Sequence, residues 1–389
     1  MNIFPNAWLK KGWLNAWRRM EYGTLYFVTP EGESMIFTGR QPGPSAHLVL
    51  HDWQVLRRIL SRGDIGLGED YIAGRWDTDS IEVLLTLFLM NIEPLDAYAH
   101  GTRLSRLGFT IYNRFVKRNS RKGSRNNISA HYDVGNDFYK LWLDESMTYS
   151  SAIYADGVTD LNAAQQAKYA RILDKIGTPP KTILEIGCGW GGFAMAAVAR
   201  GHRLTGVTIS QAQYRIATER VDGRADIRLQ DYRDVTGQFD AIVSIEMFEA
   251  VGEAYWPDYF QALHDRLKPG GTAVIQTITI RDELFADYRQ RSDFIRHYVF
   301  PGGMLPSAAR FREEAAKAGL VCREVYAFGQ DYARTLRAWL ERFEAQREAI
   351  LKLGYDEAFI RNWRFYISIC AASFALGRTN VVKIELAHA

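Results

Sequence analysis

Apolar positions along this chain follow two different periods. From about residue 160 onward, short apolar runs of strand length alternate with stretches in which apolar residues recur every three or four positions. Residues 182–186, 203–208, 240–245 and 272–279 read as strands. Residues 192–200, 210–220 and 255–267 read as helices, with Lys268-Pro-Gly-Gly271 as a turn. The alternation predicts an α/β fold, a doubly wound sheet with helices on both faces, whose ligands bind beyond the carboxyl ends of the strands.

The first hundred residues are patterned differently. β-prone runs at 24–28 and 47–50 are separated by turn-forming Pro30-Glu-Gly32 and Gln41-Pro-Gly-Pro44, and a helical run follows over 52–60. This predicts a small α+β accessory domain over 1–105. A basic stretch at 106–127, with Arg114, Lys117, Arg118, Arg121, Lys122 and Arg125, reads as a linker, leaving 128–389 as the main domain. The most apolar run, Val83–Met90, is far short of a bilayer span and reads as a buried helix.

Composition narrows the classes. Hydrophobic residues make up 47% of 389, enough for a large core, and a net charge of +3 gives no case for nucleic-acid binding. Cys188, Cys322 and Cys370 are widely spaced, which excludes a disulfide scaffold, shows no metal pattern and suits the cytoplasm. The N-terminal segment sets Trp8, Trp13 and Trp17 among Lys10, Lys11, Arg18 and Arg19, without the apolar core of a signal peptide. It reads either as a helix lying in a lipid interface or as one packing its tryptophans on its own domain.

The candidate chemistry begins at Glu185–Gly192, where an apolar strand breaks into glycines ahead of a helix. Glycines let backbone approach a ligand closely, and the helix N-terminus faces it. Gly187, Gly189 and Gly192 fit the dinucleotide spacing, yet the next strand, Arg203–Thr208, ends without the carboxylate that would hold a ribose. The acids lie instead at Glu185 and at Asp231, past a third strand, which favours S-adenosyl-L-methionine over a nicotinamide cofactor.

Five further segments carry a resemblance: His131–Phe138, Met147–Ala152, Glu185–Gly192, Met247–Gly252 and Tyr332–Trp339. Together they resemble the cyclopropane-fatty-acyl-phospholipid synthase family, and Ser61–Tyr71 with Gly74–Trp76 resembles the accessory domain of its bacterial phospholipid enzymes. The resemblance implies a Rossmann-like class I methyltransferase sheet. It also implies transfer of a methyl group from S-adenosylmethionine to a double bond of an unsaturated acyl chain in phospholipid, through a carbocation.

Carried over, the cofactor contacts are Tyr149, Ser150, Glu185, Gly187, Gly189, Gly191, Thr208, Gln213, Asp231 and Tyr232. A carbocation needs aromatic faces and exclusion of water, for which Phe138, Phe248, Tyr298, Phe300 and Tyr332 are candidates. Ring closure needs a base, which in the family is a bicarbonate held by a cysteine, a glutamate, a histidine, a backbone isoleucine and a tyrosine. Glu249, Ile278 and Tyr332 match that set. Ser151 stands in place of the cysteine, Ala250 where a histidine follows the glutamate, and Gln276 where the second histidine would be. Cyclopropane therefore competes with a methyl-branched or methylated-alkene product.

An amine N-methyltransferase and a non-catalytic S-adenosylmethionine- or lipid-binding protein are the alternatives. Access to acyl chains implies peripheral association with the inner face of the membrane, and the resemblance suggests a homodimer.

Overall fold

The computed structural model describes residues 6–95, 134–155 and 157–389, so the basic stretch at 106–127 lies outside the described residues. Two compact units are present, and they interleave along the chain. Among the described residues, the first comprises 6–95, 290–299 and 347–376; the second comprises 134–155, 157–289, 300–346 and 377–389. This differs from the consecutive division at 105 and 127 expected from composition. The reason is local to the first unit: Gly68 has no side chain, and a Cβ there would lie 2.4 Å from Phe294 and 2.9 Å from Phe365. Both rings close onto that helix, and Asp64 accepts a hydrogen bond from the Phe294 amide at 3.0 Å.

The first unit holds strands β1 (Tyr22–Val28), β2 (Ser34–Thr38), β3 (Gln41–Leu50) and β4 (Trp76–Asp77), in the order β2-β1-β3-β4. β1 pairs antiparallel with β2 and parallel with β3. The helix Asn6–Trp17 buries Trp13 and Trp17 at 1% and 0% exposure. Their rings meet at 5.6 Å, and Trp17 lies 5.1 Å from Phe88. These two tryptophans are core anchors of the unit, which removes them as lipid-facing candidates; the side chain of Trp8 is outside the described set.

The second unit is built on β5 (Thr182–Ile186), β6 (Arg203–Thr208), β7 (Asp226–Leu229), β8 (Phe239–Ile245), β9 (Leu267–Ile280), β10 (Leu320–Ala327) and β11 (Thr379–His388). Their order is β10-β11-β9-β8-β5-β6-β7. β11 runs antiparallel to both neighbours, while β9, β8, β5, β6 and β7 are mutually parallel. Side chains alternate between faces along each strand, so Ile183, Leu204 and Val243 pack with helices 161–176, 192–199 and 211–221. Leu184, Val207 and Ile242 pack on the other face with helices 256–266 and 308–317. The doubly wound sheet is as the alternation predicts. The Lys268–Gly271 turn is absorbed as a bulge in β9, because the partners of β9 jump from Phe239↔Leu267 to Ala241↔Thr272.

Candidate active site

The glycine turn leaves β5 and is fixed to β6 by Gly187 N–H and Cys188 N–H, which both donate to Val207 O at 2.9 and 3.0 Å. Gly187, Gly189 and Gly191 all have positive φ, at 82°, 52° and 84°. A Cβ on Gly189 would meet nothing within 4 Å, so the turn opens onto free space. A Cβ on Gly187 would lie 2.8 Å from Met247 Cγ, so its absence lets the segment after β8 sit against the turn.

At the end of β6, Thr208 Oγ1 donates to Gln213 Oε1 at 2.9 Å, and the two buried side chains form one polar group. Gln230 N–H donates to Thr208 O, which sets the chain after β7 beside it. There Asp231 is paired with Arg233 at 2.6 Å and caps the short turn carrying Tyr232. Tyr232 packs edge-on to Tyr259, 5.7 Å away, and burial pushes its phenol up.

Tyr149, Ser150 and Ser151 lie on a loop shaped by Asp144, whose Oδ1 accepts from Thr148 N–H at 2.9 Å. Lys168 is fully buried and donates from Nζ to Ser150 Oγ at 2.7 Å. Burial lowers that ammonium to about 7, against the opposing pull of Glu246, Asp144 and Glu185. Glu185 is itself buried and is pushed up to about 8, with its Oε2 lacking a hydrogen-bond partner. An aromatic wall runs from the turn toward β8: Trp190 to Tyr139 at 5.1 Å, Tyr139 to Tyr149 at 5.5 Å, Tyr149 to Trp339 at 5.3 Å and Trp339 to Tyr332 at 6.0 Å.

Two carboxylates close the site. Glu249 accepts on one oxygen from Thr277 Oγ1 at 2.9 Å and from Ile278 N–H, while its Oε2 is buried without a partner. Burial, then the charge of Glu246, push it up to about 8, so it is neutral at pH 7. Glu246 lies three residues earlier with φ 49°, a left-handed backbone that a glutamate adopts only under constraint. Its Oε1 accepts from Ser151 N–H and from Gln276 Nε2, both at 2.8 Å, and its Oε2 accepts from Tyr332 OH at 2.8 Å.

Sequence reasoning thus names the donors, Ser151, Gln276 and Tyr332, and misses the acceptor they share. The signal was a carboxylate directly after an apolar strand, in Ser244-Ile-Glu246. Lys168 was missed as well, although it shares a four-residue spacing with buried Ala164 and Ile172. Among the aromatic candidates, Phe248 belongs to the core with Trp256 and Phe260, and Tyr298 is exposed and in the first unit. Phe138 joins the wall through Tyr139, 5.4 Å away. Ala250 brings no polar group.

The residues present fit S-adenosylmethionine. The open turn at Gly189, the Thr208–Gln213 pair and the partnerless Glu185 oxygen can accept its backbone-facing, ribose and ammonium ends. They do not fit bicarbonate. Ser151 N–H, Gln276 Nε2, Tyr332 OH and Ile278 N–H are all engaged by the two glutamates. The atoms left over, Gln276 Oε1 and Glu249 Oε2, are a carbonyl and a carboxyl oxygen, poor company for an anion.

This sheet, its glycine turn and the ligand-facing strand ends define an S-adenosylmethionine-dependent methyltransferase of the Rossmann-like class. A family model described as mycolic acid cyclopropane synthetase matches residues 119–384, and the chain belongs to that family. It is 38% identical over 364 residues to tuberculostearic acid methyltransferase UfaA1 of Mycobacterium tuberculosis, covering 90% of this chain and 85% of that one. It is 36% identical over 323 residues to cyclopropane-fatty-acyl-phospholipid synthase of Escherichia coli K12, covering 82% and 81%. The crystal structure of mycolic acid cyclopropane synthase CmaA1 with SAH and CTAB superposes with a TM-score of 0.63 at 30% identity, covering 67% of this chain and 97% of that one. Among the described residues no helix is long and apolar enough to cross a membrane.

Proposed function

We propose that this enzyme methylates a double bond in an unsaturated acyl chain carried on phospholipid, with loss of a proton from the resulting carbocation. The observation that carries this reading is the aromatic wall from Trp190 to Tyr332, ending at the Glu246 and Glu249 carboxyls. When bound, S-adenosylmethionine supplies an electrophilic methyl group. The alkene is a weak nucleophile, so the cation it becomes needs the faces of Tyr149, Trp339 and Tyr332 for stabilisation and the same rings to keep water away. An amine substrate attacks through its lone pair and forms no carbocation, so it has no need of a dry aromatic pocket of that kind.

The cofactor is assigned to the glycine turn and to Tyr149, Ser150, Glu185, Thr208, Gln213, Asp231 and Tyr232. Glu249, held neutral, offers a hydrogen-bonding carboxyl beside the reacting chain without adding a second negative charge to Glu246.

The test supplies methyl-labelled S-adenosylmethionine with vesicles of unsaturated phospholipid, vesicles of fully saturated phospholipid, or secondary amines. Label is expected in the acyl chains of the unsaturated lipid alone. Label in amine or head group would overturn the reading. Resistance of the product to catalytic hydrogenation over mild catalyst marks the ring, and uptake of hydrogen marks a methylated alkene.

A further inference from the structure

The three donors that the family resemblance assigns to bicarbonate reach one side chain of this chain, from three separate elements: the loop before helix 161–176, β9 and helix 329–345. Each Glu246 oxygen receives at least one donor at 2.8 Å. Its backbone is held at φ 49°, at the carboxyl end of β8, and its amide donates to Gln276 O at 2.8 Å. A non-glycine residue in that conformation is disfavoured by about 1 kcal/mol or more and persists only where its surroundings fix it. Here the turn aims the Glu246 carboxyl into the donors; burial pushes its acid up, and the charge of Lys168 pulls the other way.

We propose that Glu246 is the proton acceptor of this enzyme, standing where the family resemblance puts bicarbonate, so that turnover requires no dissolved anion. The inference rests on the lipid-methylation reading above. In the step, a C–H bond of the transferred carbon breaks. Its electron pair closes the three-membered ring, or forms the C=C of a methylene group once a hydride has shifted between the former alkene carbons. The proton goes to a Glu246 oxygen and returns to water after product leaves. Glu249 is the less suited of the pair because burial and the charge of Glu246 hold its own proton in place near neutral pH.

Wild-type enzyme in carbon-dioxide-stripped buffer and in buffer with added bicarbonate is expected to methylate unsaturated vesicles at rates within about twofold. A rate that collapses on stripping and returns with bicarbonate would overturn the proposal while leaving the lipid reading intact. Glu246→Gln, which keeps the shape, is expected to lose about 10²–10⁴-fold in turnover, the usual range for a general base, with S-adenosylhomocysteine affinity by calorimetry within a few-fold of wild type. Wild-type turnover by that variant would overturn it. Glu246→Ala empties the space beneath Ser151, Gln276 and Tyr332, and formate or bicarbonate is expected to restore part of its activity. Loss of S-adenosylhomocysteine binding in Glu246→Gln would instead mark Glu246 as structural and overturn the proposal. Absence of lipid turnover by wild type in either buffer would sink the underlying reading, and this inference with it.

Discussion

Replacing Glu249 with glutamine isolates what it takes to enclose that carboxyl. Its acid is pushed from 4.5 to about 8, chiefly by burial and secondarily by the negative charge of Glu246. Between those values the folded chain keeps a proton that the unfolded chain has released. Stability from this group is therefore greatest at low pH, falls as pH rises through 4.5, and levels off above about 8. At 1.36 kcal/mol for each unit, the group loses about 2 kcal/mol of stability between roughly pH 6 and 8. Glutamine does not titrate, and its carbonyl can still accept from Ile278 N–H and Thr277 Oγ1. Urea unfolding of wild type and Glu249→Gln, followed by circular dichroism at the two pH values, is expected to show the variant gaining about 2 kcal/mol relative to wild type. Groups not coupled to Glu249, Glu185 among them, titrate alike in both proteins and drop out of the difference. A difference independent of pH, or one that moves toward wild type as pH rises, would refute the neutral assignment. Because the native acid is neutral at pH 7, this variant is also expected to retain turnover within about tenfold, in contrast to Glu246→Gln.

Other perturbations probe the surrounding groups. Lys168→Met removes a cation whose charge acts on Glu246 and Glu185, so the acidic limb of the pH–rate profile is expected to move up by about one unit, and an unmoved limb would refute that coupling. Gly189→Ala places a methyl in open space at φ 52°, so calorimetry is expected to show S-adenosylhomocysteine affinity falling at least about tenfold while folding loses only about 1 kcal/mol. Trp17→Ala is expected to destabilise the first unit by about 3–5 kcal/mol in denaturant unfolding, where a lipid-facing tryptophan would cost almost nothing.

The strands around the glycine turn were legible because both their apolar period and their punctuation are local. β5, β6 and β8 are runs buried on two faces, and Gly187–Gly191 can adopt the positive φ that other residues resist. β10 and β11 were not read. β10 alternates half-buried with exposed positions, but Val321 and Val325 fall on the exposed face, so its residue types do not show the alternation, and its pairing with β11 joins segments far apart in sequence. The interleaving of the two units was hidden for a related reason: helix 357–375 presents an apolar stripe that does not reveal which partner it will cover.

At the site, the types and approximate positions of donors were readable from motif spacing, but their common target was not. Whether a carboxylate after a strand points to solvent or inward depends on one backbone angle, and at Glu246 that angle takes its uncommon sign. Lys168 carried a buried-face spacing, but a lysine on such a face ordinarily snorkels out, and only the closed geometry around Ser150 keeps this one in.

The central claim is methyl transfer to an alkene followed by proton loss from the transferred carbon. Reaction of the wild-type enzyme with trideuteromethyl S-adenosylmethionine and unsaturated phospholipid vesicles, followed by mass spectrometry of the released acyl chains, tests it most directly. The expected product carries one added carbon that has kept two of its three deuterons. Acyl chains retaining all three, or label found only outside the acyl chains, would contradict the account.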